Sequence, residues 1–307
     1  MSGVFTGFAT IAVVIGLGAL LAHLRFLDLS AQYLLTRLAF FVASPALMVG
    51  TIAKADVQTV LSHNLIASLA GVLVAAVAYV LPARLLWRRG NGDTTIGALS
   101  SAYVNAGNLG IPVASYVLGN AAYVAPTLLL QLLVLQPIAL AVLDADAHHG
   151  RLRVAQLALR PFKNPLTVGS LVGLLLALTG WRLPDFVGNP VTLVGDMAVP
   201  MMLIAYGIAL RLGPGLGAAG SVAELATTSS LKLLVQPLVA FVVANLVLGV
   251  EGHALLAIVV TSALPTAQNI FVHATRYDRA INLARDTILI TTVGSVPVIL
   301  TAAWLLG

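Results

Sequence analysis

Residues 100–113 read SSAYVNAGNLGIPV, and how this stretch is read decides the fold. Asn105, Gly107, Asn108, Gly110 and Pro112 crowd together in the middle of an otherwise apolar run. Inside a helix a glycine costs about 1 kcal/mol and a proline about 3 kcal/mol, so continuous helix is disfavoured here. Residues 261–269, TSALPTAQN, repeat the pattern with Pro265, Thr266, Gln268 and Asn269. If these runs lie at membrane depth, their unwound backbone must be buried in protein or line a cavity, because lipid offers it no hydrogen bonds.

The rest of the chain puts them at membrane depth. Hydrophobic residues make up 59% of the 307 and charged residues only 9%. A soluble domain carries roughly a quarter charged residues. Crossing ~30 Å of hydrocarbon takes about 20 apolar residues. Such runs fall at 4–24, 31–53, 65–86, 94–119, 122–143, 164–181, 191–211, 221–249, 253–275 and 281–305. The expected fold is therefore an all-α integral membrane protein of ten transmembrane helices. The first run lacks a basic leader and a small-residue cleavage site, so it is read as a helix rather than a signal peptide. No long strand-type alternation suggests a barrel. Without cysteine, disulfides, thiolate metal sites and cysteine nucleophiles are excluded.

The basic residues orient the helices. With the N-terminus outside, the inner loops hold Arg25, Arg84, Arg88, Arg89, Arg151, Arg153, Arg160, Lys163, Arg211, Arg276, Arg279 and Arg285. The outer loops hold only Lys54 and Arg182, and Arg37 adds one more basic residue at the inner end of the second helix. The positive-inside rule then places both termini on the extracytoplasmic side. Orientation also accounts for the net charge of +5, and no nucleic-acid partner is expected.

The one sizeable polar linker, 144–163, splits the chain into halves 1–143 and 164–307 with five runs each. Five is odd, so the second half enters the membrane inverted. The halves carry matching marks: ASPALMVG around Pro45 and AVPMMLIAYG around Pro200 in the second helices, and interruptions in the fourth helix of each, helices four and nine of the chain. Interrupted helices at matching places in two inverted halves are the sequence mark of a secondary transporter's binding site. Half-helix N-termini brought to one midplane point suit an anion, above all a carboxylate.

NAGNLGIP (105–112), ALPTAQNIFVHATRY (263–277), LKLLVQP (231–237) and the surroundings of Pro45 and Pro200 resemble the auxin efflux carrier family, along nearly the whole chain. The resemblance implies two inverted five-helix repeats that cross at helices four and nine, in a bacterial inner membrane. It implies a scaffold made from 4–53 and 164–211, usually the interface of a homodimer. Residues 65–143 and 221–305 would form a moving transport domain that works by an elevator motion. Substrates in the family are organic anions: indole-3-acetate in plants, and dicarboxylates such as malate or malonate in bacteria. The implied substrate contacts are Asn105, Asn108, Gly110 and Pro112 on the first interruption, and Pro265, Thr266, Gln268 and Asn269 on the second. The long cytoplasmic loop of the plant exporters is missing, which weakens auxin as the substrate. The sodium-coupled bile-acid carriers are more distantly similar, and the chain shows no strong sodium-site pattern.

Lys232 sits about eleven residues into the eighth run, near mid-membrane. Intramembrane charge is costly and marks function by default. Three roles are open: bracing unwound carbonyls, touching the substrate anion directly, or snorkelling to the surface. Asp196, six residues into the seventh run, is a proton carrier, a partner for Lys232, or a carboxylate at the outer interface. Glu224, near the end of its run, is expected in solvent, and Asp286 beside Arg285 is expected to pair locally. Gln131 and Gln236 line the interior or bond between helices, as does Gln136. Tyr103 and Tyr206 either border the site or pack.

No cofactor, no metal site and no enzyme activity are expected: no nucleophile sits with a base, and no phosphate loop or paired histidine ligands appear. The reading is a secondary transporter of small organic anions by alternating access, bound to a small organic anion and the lipid bilayer. A sodium-coupled bile-acid-type symporter and an anion channel are the alternatives.

Overall fold

The computed structural model describes residues 2–54, 63–148, 165–213 and 221–307. Among these residues the chain is helical, with no strand; one isolated antiparallel bridge joins Val104 and Thr266. Among the described residues five stretches are long and apolar enough to cross a membrane: Leu29–Ile52, His63–Leu85, Asp185–Leu212, Val222–Val247 and Ile281–Leu306. The chain is thus a multi-pass membrane protein, and large apolar side chains such as Leu29, Leu85, Phe186, Leu193 and Leu246 stand exposed along these helices, as lipid contact requires.

Local chemistry shifts several boundaries from those expected. The second long helix starts at Leu29 because Asp28 caps it, accepting the Ala31 N–H at 2.9 Å. The Ser30 hydroxyl and that N–H hold the Asp28 carboxyl below its usual range. The seventh helix begins at Asp185 rather than 191: Pro184 precedes it, and Asp185 sits in the first turn, where the helix dipole favours an acid. Asp196 consequently lies well inside this stretch, next to the turn at Met197 that joins Asp185–Asp196 to Ala198–Leu212. The expected linker loses its first residues to helix Gln136–His148. Two of them are held there: Asp144 accepts from the Tyr277 hydroxyl at 2.6 Å, and Asp146 pairs with Arg279 at 2.8 Å. The rest of the linker, 149–163, lies outside the described residues.

The chain divides into two compact units. The first comprises residues 1–62, 106–129 and 162–215; the second comprises 63–105, 130–161 and 216–307. In the first unit, glycine lets backbones touch. Gly18 faces the Ile204 carbonyl, and Gly207 faces the Ile15 carbonyl, so helices Ser2–His23 and Ala198–Leu212 meet main chain to main chain. A β-carbon on Gly169 would lie 2.6 Å from the Pro45 carbonyl oxygen, and one on Gly195 would lie 2.9 Å from the Leu47 nitrogen. Lipid tails are as apolar as leucine, so helices in a bilayer associate through such close packing of small residues.

The second unit is tied together at one end by ionic contacts. Glu224, expected in solvent, is 2% exposed. It accepts from the Tyr79 hydroxyl and from Arg89, each at 2.6 Å. The carboxylate reaches inward because Tyr79, itself fully buried, offers a donor there. Asp93 accepts the backbone N–H of Ala280 at 2.9 Å, and Asp286 pairs with Arg285 at 2.8 Å.

Gly207→Leu should lower the melting temperature of detergent-solubilised protein, by the equivalent of about 1–3 kcal/mol or more, because the new side chain must enter the Ile15 backbone. Gly16→Ala, which meets open space, should be neutral or stabilising by up to about 1 kcal/mol. Equal melting of the two variants would mean that the glycine contacts do not hold the first unit together.

Candidate functional site

Helix Asn91–Ala102 ends at Tyr103, whose backbone turns extended at φ −88° and ψ 110°. Helix Gly252–Ser262 ends shortly before Pro265, and the chain stays non-helical until Asn269–Tyr277 begins. The first interruption is shorter than its composition suggested. It occupies Tyr103–Asn105, and the glycines that follow lie in a wide π-type turn, Ala106–Gly110. Pro112 falls in the first turn of helix Ile111–Val117, where its missing N–H leaves no gap.

The two interruptions meet within the second unit. The Asn105 N–H donates to the Pro265 carbonyl at 2.7 Å, and the Ala267 N–H donates to the Tyr103 carbonyl at 3.1 Å. This pairing is a single rung of antiparallel sheet, buried in a helical protein: Val104 is 1% exposed, Asn105 2% and Thr266 0%.

Side chains from neighbouring helical stretches satisfy further groups of the freed backbone. Gln131 Nε2 donates to the Val104 carbonyl at 3.1 Å, and Gln236 Nε2 donates to the Ala102 carbonyl at 3.0 Å. Lys232 Nζ donates to the Ser262 carbonyl at 2.9 Å and to Gln236 Oε1 at 2.7 Å. The Thr266 N–H donates to Thr291 Oγ1 at 3.1 Å, while the Thr266 hydroxyl donates to the Ser100 carbonyl at 2.6 Å. The Tyr103 hydroxyl donates to Gln136 Oε1 at 3.1 Å. An unpaired polar group in hydrocarbon costs several kcal/mol, and these bonds remove that cost.

Of the residues singled out in the sequence, Asn105, Pro265, Thr266, Gln131, Gln236 and Lys232 are thus brought together. Gln268 and Asn269, half-buried, follow directly on the second interruption. Asn108, Gly110 and Pro112 belong to the first unit. Asp196 is an exposed residue of the first unit, and the contacts of Lys232 are Gln236 and Ser262. Among the three roles open to Lys232, its geometry is that of a brace on a helix-end carbonyl. Sequence reasoning missed Thr291. Its signal was there in Thr287, Thr291 and Ser295, fully buried hydroxyls recurring at helical spacing along an apolar helix.

Apolar helices too long for a soluble core, with an interrupted and internally hydrogen-bonded pair among them, are the build of a membrane transporter. Comparison with known proteins names the family. A family model described as "Membrane transport protein" matches residues 148–302, about half of the chain. The chain belongs to this family, that of the auxin efflux carriers. It is 24% identical over 262 residues to a Rhizobium meliloti (strain 1021) protein named "Putative malonate transporter", covering 83% of this chain and 81% of the relative. It is 27% identical over 292 residues to an "Uncharacterized transporter" of Methanothermobacter thermautotrophicus, covering 92% of each. Auxin efflux carrier component 3 of Arabidopsis thaliana is 32% identical over 121 residues, which span 38% of this chain and 18% of that much longer protein.

Thr266→Val keeps the shape of the side chain but strands the Ser100 carbonyl. It should cost about 1–3 kcal/mol of stability, measured by thermal unfolding in detergent. Gln131→Leu should do the same through the Val104 carbonyl. A loss below ~0.5 kcal/mol in both, under the usual worth of one hydrogen bond, would mean that these bonds are dispensable.

Proposed function

We propose that this membrane transporter carries small organic anions, carboxylates such as dicarboxylates or auxin-like acids, by alternating access, and binds them where the interrupted helices four and nine cross. The buried pairing of Val104 with Thr266 carries this reading, because it is the contact that two interruptions in inverted halves would make. Ten transmembrane helices in two inverted five-helix repeats, with both termini extracytoplasmic, fit the charge asymmetry of the loops and the matched interruptions. Helix Asn269–Tyr277 starts directly after the second interruption, and because the N–H groups of Ile270 and Phe271 in its first turn donate to the Ala267 and Gln268 carbonyls at 3.1 Å, side-chain amides are the donors left to an anion there. Asn105 donates an amide hydrogen bond to the anion, and Gln268 and Asn269 complete the site.

The division of the chain supports an elevator motion. One unit gathers residues 1–62 and 162–215, the stretches expected as scaffold, and the other gathers 63–105, 130–161 and 216–307, expected as the moving part; residues 106–129, also expected to move, fall instead in the first unit. In this mechanism the second unit travels as a body, braced by its own hydrogen bonds, while the first stays fixed in a homodimer. Malonate is the first compound to try, because a relative covering most of the chain bears that name.

Uptake of labelled malonate and of a panel of mono- and dicarboxylates into proteoliposomes tests the reading. Saturable uptake with counterflow is expected; flux that neither saturates nor exchanges would indicate a channel. Asn105→Ala should weaken binding about 10- to 100-fold, the worth of a hydrogen bond to a charged group. It should leave the protein folded. Unaltered affinity in that variant would remove the anion from this site.

A further inference from the structure

Two helices of the second unit end against the same pair of side chains. Helix Asn91–Ala102 presents its last carbonyl to Gln236, and helix Gly252–Ser262 presents its last carbonyl to Lys232. Lys232 and Gln236 lie one helical turn apart and are themselves bonded at 2.7 Å. The result is a continuous chain, Ser262 carbonyl to ammonium to glutamine amide to Ala102 carbonyl. A helix C-terminus carries roughly half a negative charge, and half-helix C-termini with unwound carbonyls are where carriers hold a coupling cation.

Lys232 is fully buried. Among the described residues no carboxylate pairs with it. On the helices packed around it, Glu224 is taken up by Tyr79 and Arg89, Asp286 pairs with Arg285, and Asp93 accepts from the Ala280 N–H. His63 and Arg84 lie at the two ends of helix His63–Leu85, and His253 is exposed at the start of its helix. The negative end that the ammonium touches is that of helix Gly252–Ser262, through the Ser262 carbonyl. Its hydrogen-bond partners are oxygens. The Ser262 carbonyl and Gln236 Oε1 touch it, and the hydroxyls of Ser262 and Ser229, 3% and 7% exposed, have no hydrogen-bond partner among the described residues. Ser262 is the residue whose carbonyl the amine binds, and Ser229 sits one turn before Lys232. A set of neutral oxygens is the chemistry that holds a sodium-sized hard cation.

We infer that the Lys232 ammonium is a tethered cation, filling the place where the two helix C-termini would otherwise hold a free monovalent cation and so making the carrier independent of sodium. Lys232 acts here as a positioning residue: it holds the Ser262 carbonyl directly and the Ala102 carbonyl through Gln236. The inference deepens the transport reading above, since it separates this chain from a sodium-coupled symporter, but its main test needs no substrate.

That test is thermal unfolding of purified protein in choline, sodium, lithium, potassium or propylammonium chloride at constant ionic strength. The wild type should melt at one temperature in all five. Lys232→Ala should melt roughly 5–10 °C lower in choline, because it leaves the helix ends unpaired. It should regain at least half of that loss, saturably, in sodium or propylammonium. A Lys232→Ala protein that can be purified only in the presence of a small cation supports the inference equally. Lys232→Met fills the space without charge and should stay destabilised in every salt. The inference is overturned by a wild type that sodium itself stabilises, by a Lys232→Ala protein indifferent to all small cations, or by a Lys232→Met protein as stable as the wild type. In proteoliposomes, malonate uptake by the wild type should agree within twofold between sodium and choline media. Absence of malonate uptake in both would count against malonate as substrate, while the unfolding series would still decide the role of Lys232.

Discussion

A peptide group that has left its helix within a membrane must find its hydrogen bond inside the protein, and the second unit is organised by that requirement. Helix ends at Ala102 and Ser262 release carbonyls, and the non-helical residues beyond them release more. A hydrogen bond made contributes only ~1 kcal/mol net, but one left unmade in an apolar surrounding costs several times that. The asymmetry explains the residue types. Glutamine at 131 and 236, lysine at 232, and threonine at 266 and 291 are side chains that an apolar bundle would otherwise exclude, and each has a backbone group to satisfy.

The two units solve the problem of helix association differently. The first has mostly unbroken helices, whose backbone groups bond within the helix, so it can rely on glycine and close backbone contact, as between Gly18 and Ile204 or Gly195 and Leu47. The second also packs glycine against backbone, as between Gly71 and the Gln236 carbonyl, but its central helices are interrupted. It adds directional bonds: the rung between Val104 and Thr266 at its centre, and the contacts of Glu224, Asp93 and Asp146 at one end. Directional bonds are lost abruptly when geometry changes, so keeping them favours moving such a body whole. In the proposed mechanism that property lets an interrupted, polar site travel without coming apart.

Membrane placement and the two interruptions were legible in the sequence, since composition and the breaking power of glycine and proline act locally. Local chemistry also misled at particular residues. Glycines 107 and 110 and Pro112 suggested a long gap, but a π-type turn and a first-turn proline absorb them, leaving only Tyr103–Asn105 unwound. Asp185 resembles a loop residue and is instead the start of a helix. Glu224 resembles a solvated helix-end acid, because nothing near it in sequence reveals that Tyr79 offers a donor from 145 residues away.

The sequence by itself therefore determined that the chain lives in a bilayer, where its helices break, and which residues are too polar to be there without a reason. Each of those conclusions rests on a residue and its near neighbours. What only the tertiary structure decided is how the polar residues are matched: Thr266 with Ser100 and Thr291, Gln131 with Val104, and Lys232 with Ser262 rather than with Asp196. These pairings join positions far apart along the chain, and the demand they meet belongs to backbone carbonyls and N–H groups, which every residue carries alike. No side-chain pattern can announce which of them a fold will leave unpaired.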